Sequence, residues 1–511
     1  MNKSKLLLDR IAEDVAVMGG RLYAIGGYPR DLIAGRENKD VDVEIHGLYP
    51  EQLRSILARY GEVRTQGSCF GIYNLKGVEI DFSLPRRDSK VGAGHRDFES
   101  HIDPNIGVVE AARRRDFTMN TIMLDWLSGK MWSDFGGVED VKAGIIRVTD
   151  ADTFTDDPLR VLRAAQFAAR FGYHIDGITE RLCSFIDLSA LSDDRVYKEM
   201  RKALLKSSRP SVFFESLRAM GQLSVWFPEL EALIGCEQNP SYHPEGDVWV
   251  HTMQVLDHAA EVRHLADEPE FFMVAALCHD LGKPATTAYN EKGELHAIGH
   301  EKAGVEIAER FLKRINRNVR LCKYVTNMVA MHMTPRPLYD NRSDKVKLMR
   351  MCDRTCSIND LVLLSSCDSY RKLHIKGMYE AYLDWRNELQ GDYSALMSQP
   401  NIGGKELFAI GVPQGEAFRT ILNEAHELQL AGKTKDEIFL HVVRKYASVY
   451  PAVAAYKARM DAERKASVIT GNDLIAMGIK PGKEFKLILA KANDMLASGI
   501  SKDEILKKII I

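Results

Sequence analysis

Three acids, a glycine pair and an arginine near the amino terminus suggest the first chemistry in this chain. Asp40, Asp42 and Glu44 alternate with Val41, Val43 and Ile45, the period-2 pattern of a half-buried strand. Alternation sets the acids on one face and the aliphatics on the other. Two carboxylates two apart on a strand can share divalent cations. Two such cations roughly 3.5–4 Å apart can activate an attacking hydroxyl and stabilise a leaving phosphate. Upstream, Gly26-Gly27 lets backbone N–H groups approach a phosphate closely, and Arg30 adds a charged fork.

These residues need elements to hold them. Apolar spacing at Leu7, Ile11, Val15 and Met18 predicts a helix over Leu6–Met18, ending at Gly19-Gly20. Arg21–Ile25 reads as a strand entering the glycine turn. Pro50 opens a short helix over Glu51–Tyr60. Phe70–Leu75 and Val78–Leu84 read as strands paired across Lys76-Gly77. On the second of these, Asp81 is placed to be a third metal ligand, and Glu79 shares its parity and competes for that place. Arg86–Pro104 is polar, basic and glycine-punctuated (Gly92, Gly94, His95, Arg96) and reads as a mobile loop. Arg113, Arg114 and Arg115 cannot share one helical face, so at least one turns inward to a ligand or an acid. Thr121–Trp126 reads as the strand that closes this α/β unit.

From residue 151 onward helical patterns dominate. Asp157 before Pro158 starts a helix with an acid at the N-cap and proline at the first position. Arg160 and Arg163 follow on one face. Cytosine and adenine each show an amino donor beside a ring-nitrogen acceptor. Asp157 accepting and Arg160 donating match that pair, whereas uracil and guanine reverse it and leave buried groups unpaired. Arg195, Glu199 and Lys202 share a helical face, with Lys198, Arg201, Lys206 and Arg209 nearby; they form either an RNA-backbone patch or a solvated face.

A second constellation lies farther on. His251, the doublet His279-Asp280 and Asp368 suit a divalent-metal site for phosphoester hydrolysis, with His300 and His332 as additional ligands.

Composition bounds the rest. The 511 residues suggest roughly three or four domains. No apolar run reaches the ~18 residues of a membrane span. The basic start is interrupted by Asp9, Glu13 and Asp14, an amphipathic helix pattern rather than a secretion signal. The eight cysteines are scattered; Cys352 and Cys356 alone are close, and no second pair completes a zinc site, so reduced thiols in a cytoplasmic protein are expected. With a net charge of −2, a nucleic-acid partner must be held by local basic patches.

The order Gly-Gly-x-x-Arg-Asp (26–31), Asp-x-Asp (40–42), Arg-Arg-Asp-Phe-Thr-x-Asn (114–120) and Asp-Pro-Leu-Arg-x-Leu-Arg (157–163) resembles the bacterial-type CCA-adding tRNA nucleotidyltransferases and the related bacterial poly(A) polymerases of the DNA polymerase beta superfamily. The resemblance covers residues 20–235. It implies magnesium on Asp40 and Asp42, the incoming nucleotide on Gly27, Arg30 and Arg115, and base reading by Asp157, Arg160 and Arg163. His279-Asp280 followed by Leu-Gly-Lys, with His243-Pro244-Glu245 and Gly299–Gly304, resembles the HD phosphohydrolase domain fused to one subgroup of CCA-adding enzymes. That subgroup is credited with 2′,3′-cyclic phosphodiesterase, 2′-nucleotidase and phosphatase activities. Pro29 stands where the family usually has valine, Asp156 where it has glutamate, and Gln166 where an arginine commonly completes the helix.

In the tail, Gly404–Gly415 repeats as Gly471–Gly482, each followed by an amphipathic helix and Lys-Asp-Glu-Ile (435–438 and 502–505). Each copy resembles a CCA-adding-enzyme tail module associated with tRNA docking; a structural or oligomerising role for one copy competes with RNA binding.

The expected fold class is α+β: a polymerase-beta-type nucleotidyltransferase head with a small mixed sheet (1–150), then an all-α neck (151–235), HD domain (236–390) and tail (391–511). The expected activity is addition of CCA to tRNA 3′ ends from CTP and ATP, with Mg2+ at the transferase site and another divalent metal at the HD site, and no membrane partner. Poly(A) synthesis and CC-only or A-only addition are the near rivals. An HD hydrolase with an RNA-binding first domain, or a non-catalytic scaffold, is the distant one.

Overall fold

The computed structural model describes residues 3–38, 40–66, 72–90, 98–466, 469–482, 484–497 and 502–509. Lys39, Cys69, Phe70 and the stretch holding Gly92, Gly94, His95 and Arg96 lie outside the described residues. The chain forms two compact units, Met1–Tyr339 with Thr355–Arg386, and Asp340–Arg354 with Asn387–Ile511. Among the described residues no helix is long and apolar enough to cross a membrane, and the seven described cysteines are free.

The amino-terminal part of the first unit is built on a mixed sheet. Its strands are β1 (Arg21–Ile25), β2 (Asp42–His46), β3 (Val63–Gln66), β4 (Ile72–Leu75), β5 (Phe82–Ser83), then β8 (Met123–Asp125) and β9 (Met131–Trp132), after a separate hairpin of β6 (Arg86–Lys90) and β7 (Phe98–Ile102). The sheet order is β3-β4-β5-β2-β1-β8-β9. β1 pairs antiparallel with β2 and β8, while β2 and β5 run parallel. The alternation in β2 is what closes the core. Val43 and Ile45 are buried with Leu8, Ile11 and Val15 of the helix Lys3–Val17 and with Leu53, Ile56 and Leu57 of the helix Pro50–Leu57. The acids of β2 are thereby turned to the opposite face.

Two sequence expectations change here. The basic segment Arg86–Pro104 is not a bare loop: β6 and β7 pair antiparallel from Arg86↔Ile102 to Lys90↔Phe98. Its strands are polar, so no apolar period announces them. The second strand expected over Val78–Leu84 is only Phe82–Ser83, and its partner β4 is also hydrogen-bonded to β3, a strand the sequence did not signal. Pro29 does not distort the phosphate turn. It sits in the first turn of the helix Gly27–Ile33, where a missing N–H costs no intrahelical bond.

The rest of the first unit is mostly helical; against the all-α expectation it adds two short ladders, Ile145–Ile146 with His174–Ile175 and Ala288–Tyr289 with Leu295–His296. Leu159–Phe171 packs against Asp193–Lys206 and Ser211–Ala219. Val248–Val262 and Pro269–Cys278 pack on one another, and both contact Ile358–Asp368. The second unit holds two apolar clusters, one around Leu407, Ile421, Ile438 and Val442, the other around Leu474, Ala492 and Ile505. The sequence repeat is also a repeat of contacts. Lys435 pairs with Glu406, and at the same offset Lys502 pairs with Asp473.

Candidate functional site

The first site begins at the end of β1. Gly26 has φ 64°, a left-handed conformation that side chains rarely adopt, and it turns the chain from β1 into the helix Gly27–Ile33. Gly26, Gly27 and Arg30 then line a cavity of about 330 Å3 together with Asp42, Arg115, Asp116, Asn120, Asp157, Arg160, Arg163 and Phe167. Of the residues singled out in the sequence, Gly27, Arg30, Asp42, Arg115, Asp157, Arg160 and Arg163 meet there. Asp40 and Asp81 stand beside it: desolvation, then Asp81 and Asp40, push the Asp42 carboxyl above its ordinary pKa, while Arg115 opposes them. Asp81 is set against β2 by a backbone bond, Val43 N donating to its carbonyl at 3.0 Å, and its carboxylate accepts from Asn74. Among the described residues Glu79 shows no comparable link.

Glu44 is no metal ligand. It is wholly buried and accepts from Arg114 Nη2 at 3.1 Å, with Arg115 Nη2 at 3.6 Å and His46 Nε2 at 3.0 Å. Burial opposes its charge, yet His46, Arg115 and Arg114 hold the carboxyl at about 2. The arginine run is thereby divided: Arg113 faces Asp150 and Glu110 at the surface, while Arg114 and Arg115 turn inward. Arg115 keeps Nε and Nη2 without a hydrogen-bond partner among the described residues, although both are buried.

Arg30 donates from Nε to Asp31 at 2.8 Å and from Nη1 to Asn120 Oδ1 at 2.9 Å, and lies over Phe171 at 4.4 Å. Arg160 donates to two backbone carbonyls, of Thr153 at 2.7 Å and Arg114 at 2.8 Å. Arg163 Nε donates to Asp116 Oδ2 at 2.6 Å. Asp116 is buried, but Arg163, Asn120 and the Phe117 amide keep its carboxyl below the usual carboxylate value. Asp157 Oδ1 accepts from Leu159 N at 3.1 Å, so it caps the helix from one residue farther out than the sequence suggests: Pro158, not Asp157, is the N-cap residue. Gln166 is buried, its Nε2 without a partner among the described residues; it does not line the cavity, and neither does Asp156.

The helix Asp193–Lys206, read from sequence as an RNA-backbone patch or a solvated face, keeps Lys198 and Arg201 exposed to solvent. Its cations are engaged by acids: Arg195 with Asp157, Lys198 with Asp194, Arg201 with Glu270, Lys202 with Glu199, and nearby Arg209 with Asp257. The residues that sequence reasoning did not single out are Asp116, Asn120 and Phe167. Asp116 and Asn120 were visible inside the arginine motif, and Phe167 lies one helical turn after Arg163.

The second site gathers side chains from the ends and faces of five helices. His251 lies on Val248–Val262, His279 and Asp280 follow Pro269–Cys278, His300 opens His300–Ile315, His332 follows Val319–Met331, and Asp368 closes Ile358–Asp368. Each imidazole has its Nδ1 tied to an acceptor: His251 to Glu245 at 2.9 Å, and His279, His300 and His332 to the carbonyls of Ala276, Ala297 and Val329 at 2.8, 2.7 and 2.8 Å. With the proton on Nδ1, the Nε2 atoms of His279, His300 and His332 present lone pairs inward, whereas His251 Nε2 lies against the Asp368 carboxylate; burial opposes its charge, but Asp368 and Glu245 raise its pKa to about 9. The Nε2 atoms approach in pairs, His251 to His279 at 3.5 Å and His300 to His332 at 3.3 Å. Facing lone pairs with no proton between them, as at His300 and His332, are what a shared cation satisfies. Burial and the neighbouring His279 push His332 down to about 4, which keeps it neutral. His251, His279 and Asp280 form one compact ligand group, and Asp280, His300 and His332 another. Asp368 Oδ1 lies 3.0 Å from His251 Nε2, and Lys283 Nζ lies 2.6 Å from Asp280.

Fold and sites together define a nucleotidyltransferase head coupled to an HD domain. Residues 22–147 match the poly A polymerase head domain and residues 248–358 the HD domain. The chain is 37% identical over 300 residues to the multifunctional CCA protein of Nitrosospira multiformis, covering 58% of this chain and 69% of that one. It is 34% identical over 358 residues to that of Laribacter hongkongensis, covering 68% and 85%. The chain belongs to this family of multifunctional CCA proteins and is a tRNA nucleotidyltransferase. In fold it is similar to the CCA-adding enzyme of Bacillus stearothermophilus in complex with CTP, with a TM-score of 0.62 at 19% identity over 88% of this chain and 99% of that one. A Thermotoga maritima CCA-adding enzyme complexed with tRNA gives 0.55 at 19% identity, over 87% and 96%.

Proposed function

We propose that this enzyme adds C, C and A to tRNA 3′ ends from CTP and ATP, releasing pyrophosphate at each step. The observation that carries the reading is the shared cavity: a carboxylate from the Asp-x-Asp segment, Arg115 with a buried donor lacking a hydrogen-bond partner among the described residues, and an acid–arginine pair suited to cytosine or adenine line one space. Relatives named CCA-adding enzymes have been seen with CTP, with ATP and with tRNA, which supports the same partners here.

The triphosphate lies against Arg115, whose Nε has no hydrogen-bond partner among the described residues, and against Arg30 and Gly27. Asp157 accepts from the exocyclic amino group, and Arg160 or Arg163 donates to the adjacent ring nitrogen. The tRNA 3′-hydroxyl attacks the α-phosphate, a phosphodiester forms, and pyrophosphate leaves. Asp40, Asp42 and Asp81 are the residues that would hold magnesium. Their mutual crowding, which raises the Asp42 carboxyl, fits a cation. Bound magnesium supplies charge stabilisation at the reacting phosphate and acidifies the attacking hydroxyl. The protein's own contribution is positioning and fixed charge.

The HD centre supports a second activity, hydrolysis of a phosphoester with a divalent metal held by His251, His279, Asp280 and Asp368, extended by His300 and His332. Imidazole nitrogens beside two carboxylates suit a borderline cation better than magnesium alone.

One assay decides the first activity. Purified protein is given magnesium, tRNAs ending before, within or after CCA, and single or mixed nucleotides. Termination after one A is expected. Long A tracts would move the enzyme to poly(A) synthesis, arrest after two C residues to CC-addition, and no incorporation would leave only the hydrolase.

A further inference from the structure

Asn120 stands between the two halves of the nucleotide cavity. It is buried in the short turn Thr118–Asn120 and lines the cavity. Its Oδ1 accepts from Arg30 Nη1 at 2.9 Å, and its backbone carbonyl accepts from Arg115 Nη1 at 3.2 Å. Its Nδ2 donates to Asp116 Oδ1 at 2.9 Å, and the other oxygen of Asp116 accepts from Arg163 at 2.6 Å. One residue therefore touches both arginines on the phosphate side, and through Asp116 it orients an arginine on the base side.

We propose that Asn120 is a positioning residue that sets nucleotide specificity by fixing the base-reading arginine relative to the triphosphate-holding arginines. This rests on the assignment of the cavity to CTP and ATP. The physical requirement is narrow. A carboxamide both accepts and donates, and here one end faces a guanidinium while the other faces a carboxylate. A carboxylate in its place would still accept from Arg30 but would meet Asp116 as a like charge. A methyl group would do neither. Base selection depends on where Arg163 and Asp157 sit when the triphosphate is seated, and small misplacements are expensive in such sites.

The test is single-nucleotide incorporation into tRNA lacking its terminal residues, with kcat and KM measured for CTP, ATP, UTP and GTP in wild type, Asn120→Asp and Asn120→Ala. Asn120→Asp is isosteric and keeps the Arg30 contact. It is expected to lower the preference for CTP over UTP by about tenfold or more while the KM for CTP changes far less. Asn120→Ala loses both contacts and is expected to raise the KM for CTP and to lower the preference together. Equal factors on CTP and UTP in Asn120→Asp overturn the proposal while leaving the transferase reading intact. Absence of incorporation by the wild type overturns that reading and this one with it. Because Asn120→Asp preserves size and one bond, it decides the matter even if the alanine variant fails to fold.

Discussion

Arg195 donates one nitrogen, Nη2, to both carboxylate oxygens of Asp157, at 2.9 and 2.8 Å. The acid that the cavity offers to a base is thus held from behind by a cation on the helix Asp193–Lys206. An acceptor fixed this way is restrained from swinging to meet a wrong base. Arg195→Ala is expected to cost about tenfold or more in kcat/KM for CTP and ATP, since a loosened acid forfeits orientation. Steady-state incorporation of each nucleotide checks it. Wild-type kinetics in the variant would mean that Asp157 is positioned by its bond to Leu159 N alone.

The two centres are expected to fail independently. Asp42→Ala removes a carboxylate crowded against Asp40 and Asp81 and is expected to reduce nucleotide transfer by about a thousandfold or more, while phosphoester hydrolysis persists. His279→Ala is expected to do the reverse. After chelation, magnesium alone should restore transfer to both the wild type and His279→Ala. Parallel incorporation and phosphatase assays on the same preparations read both activities, and loss of both in either variant would contradict the separation.

Gly282 offers a sharper probe of the HD centre. A Cβ there would lie 2.0 Å from the backbone oxygen of His300 and 2.6 Å from Gly304 N. Neither is the end of a flexible side chain, so the helix that begins with His300 must move. Gly282→Ala is expected to lower stability by about 1–3 kcal/mol and to displace His300 from Asp280, where Nε2 now stands 3.4 Å from the carboxylate. A thermal melt and the hydrolysis rate measure the two effects. Unchanged hydrolysis would show that His300 is not needed there.

What the sequence revealed follows from the range over which each signal acts. The β2 acids and aliphatics were legible because alternation is local, and the strand fixes their faces. The partners of those acids were not. Glu44 looked like a third solvated carboxylate, and only the fold brings Arg114 and Arg115 to it across 70 residues. Arg195 looked like part of a basic surface for the same reason: its acid lies 38 residues away. Asp116 and Asn120 stood inside a recognised motif, yet an acid and an amide four apart are equally at home in a capping turn. In β6 and β7 polar side chains hide the strand period, and a hairpin read as a loop. The tail repeat was plain in sequence, but the Lys435–Glu406 and Lys502–Asp473 pairs show that its copies close in the same way.

Those pairs make the tail sensitive to acid. A hydrogen bond from Lys435 holds the Glu406 carboxyl at about 2, and bonds from Thr470 and Lys502 hold that of Asp473 at about 2. In the unfolded chain these groups titrate near their ordinary values, roughly 4.3 and 3.9. A carboxyl depressed in the folded state binds fewer protons there than in the unfolded state, so stability rises with pH across the interval between the two values. The contribution is complete above pH ~5 and is lost as the pH falls toward 2. Each acid also accepts from the backbone N–H at its helix's N-cap, Glu406 from Gly403 N at 3.0 Å and Asp473 from Thr470 N at 2.6 Å, the latter within a capping box, so protonation weakens a helix start as well as an ion pair. Glu406→Gln and Asp473→Asn are therefore expected to melt lower than wild type at pH 7 and nearer to it at pH 3, with the double variant showing the smallest difference between the two conditions. Thermal melts of the full-length variants at both pH values measure this, and an unchanged pH dependence in the double variant would remove these carboxylates from the account of acid sensitivity.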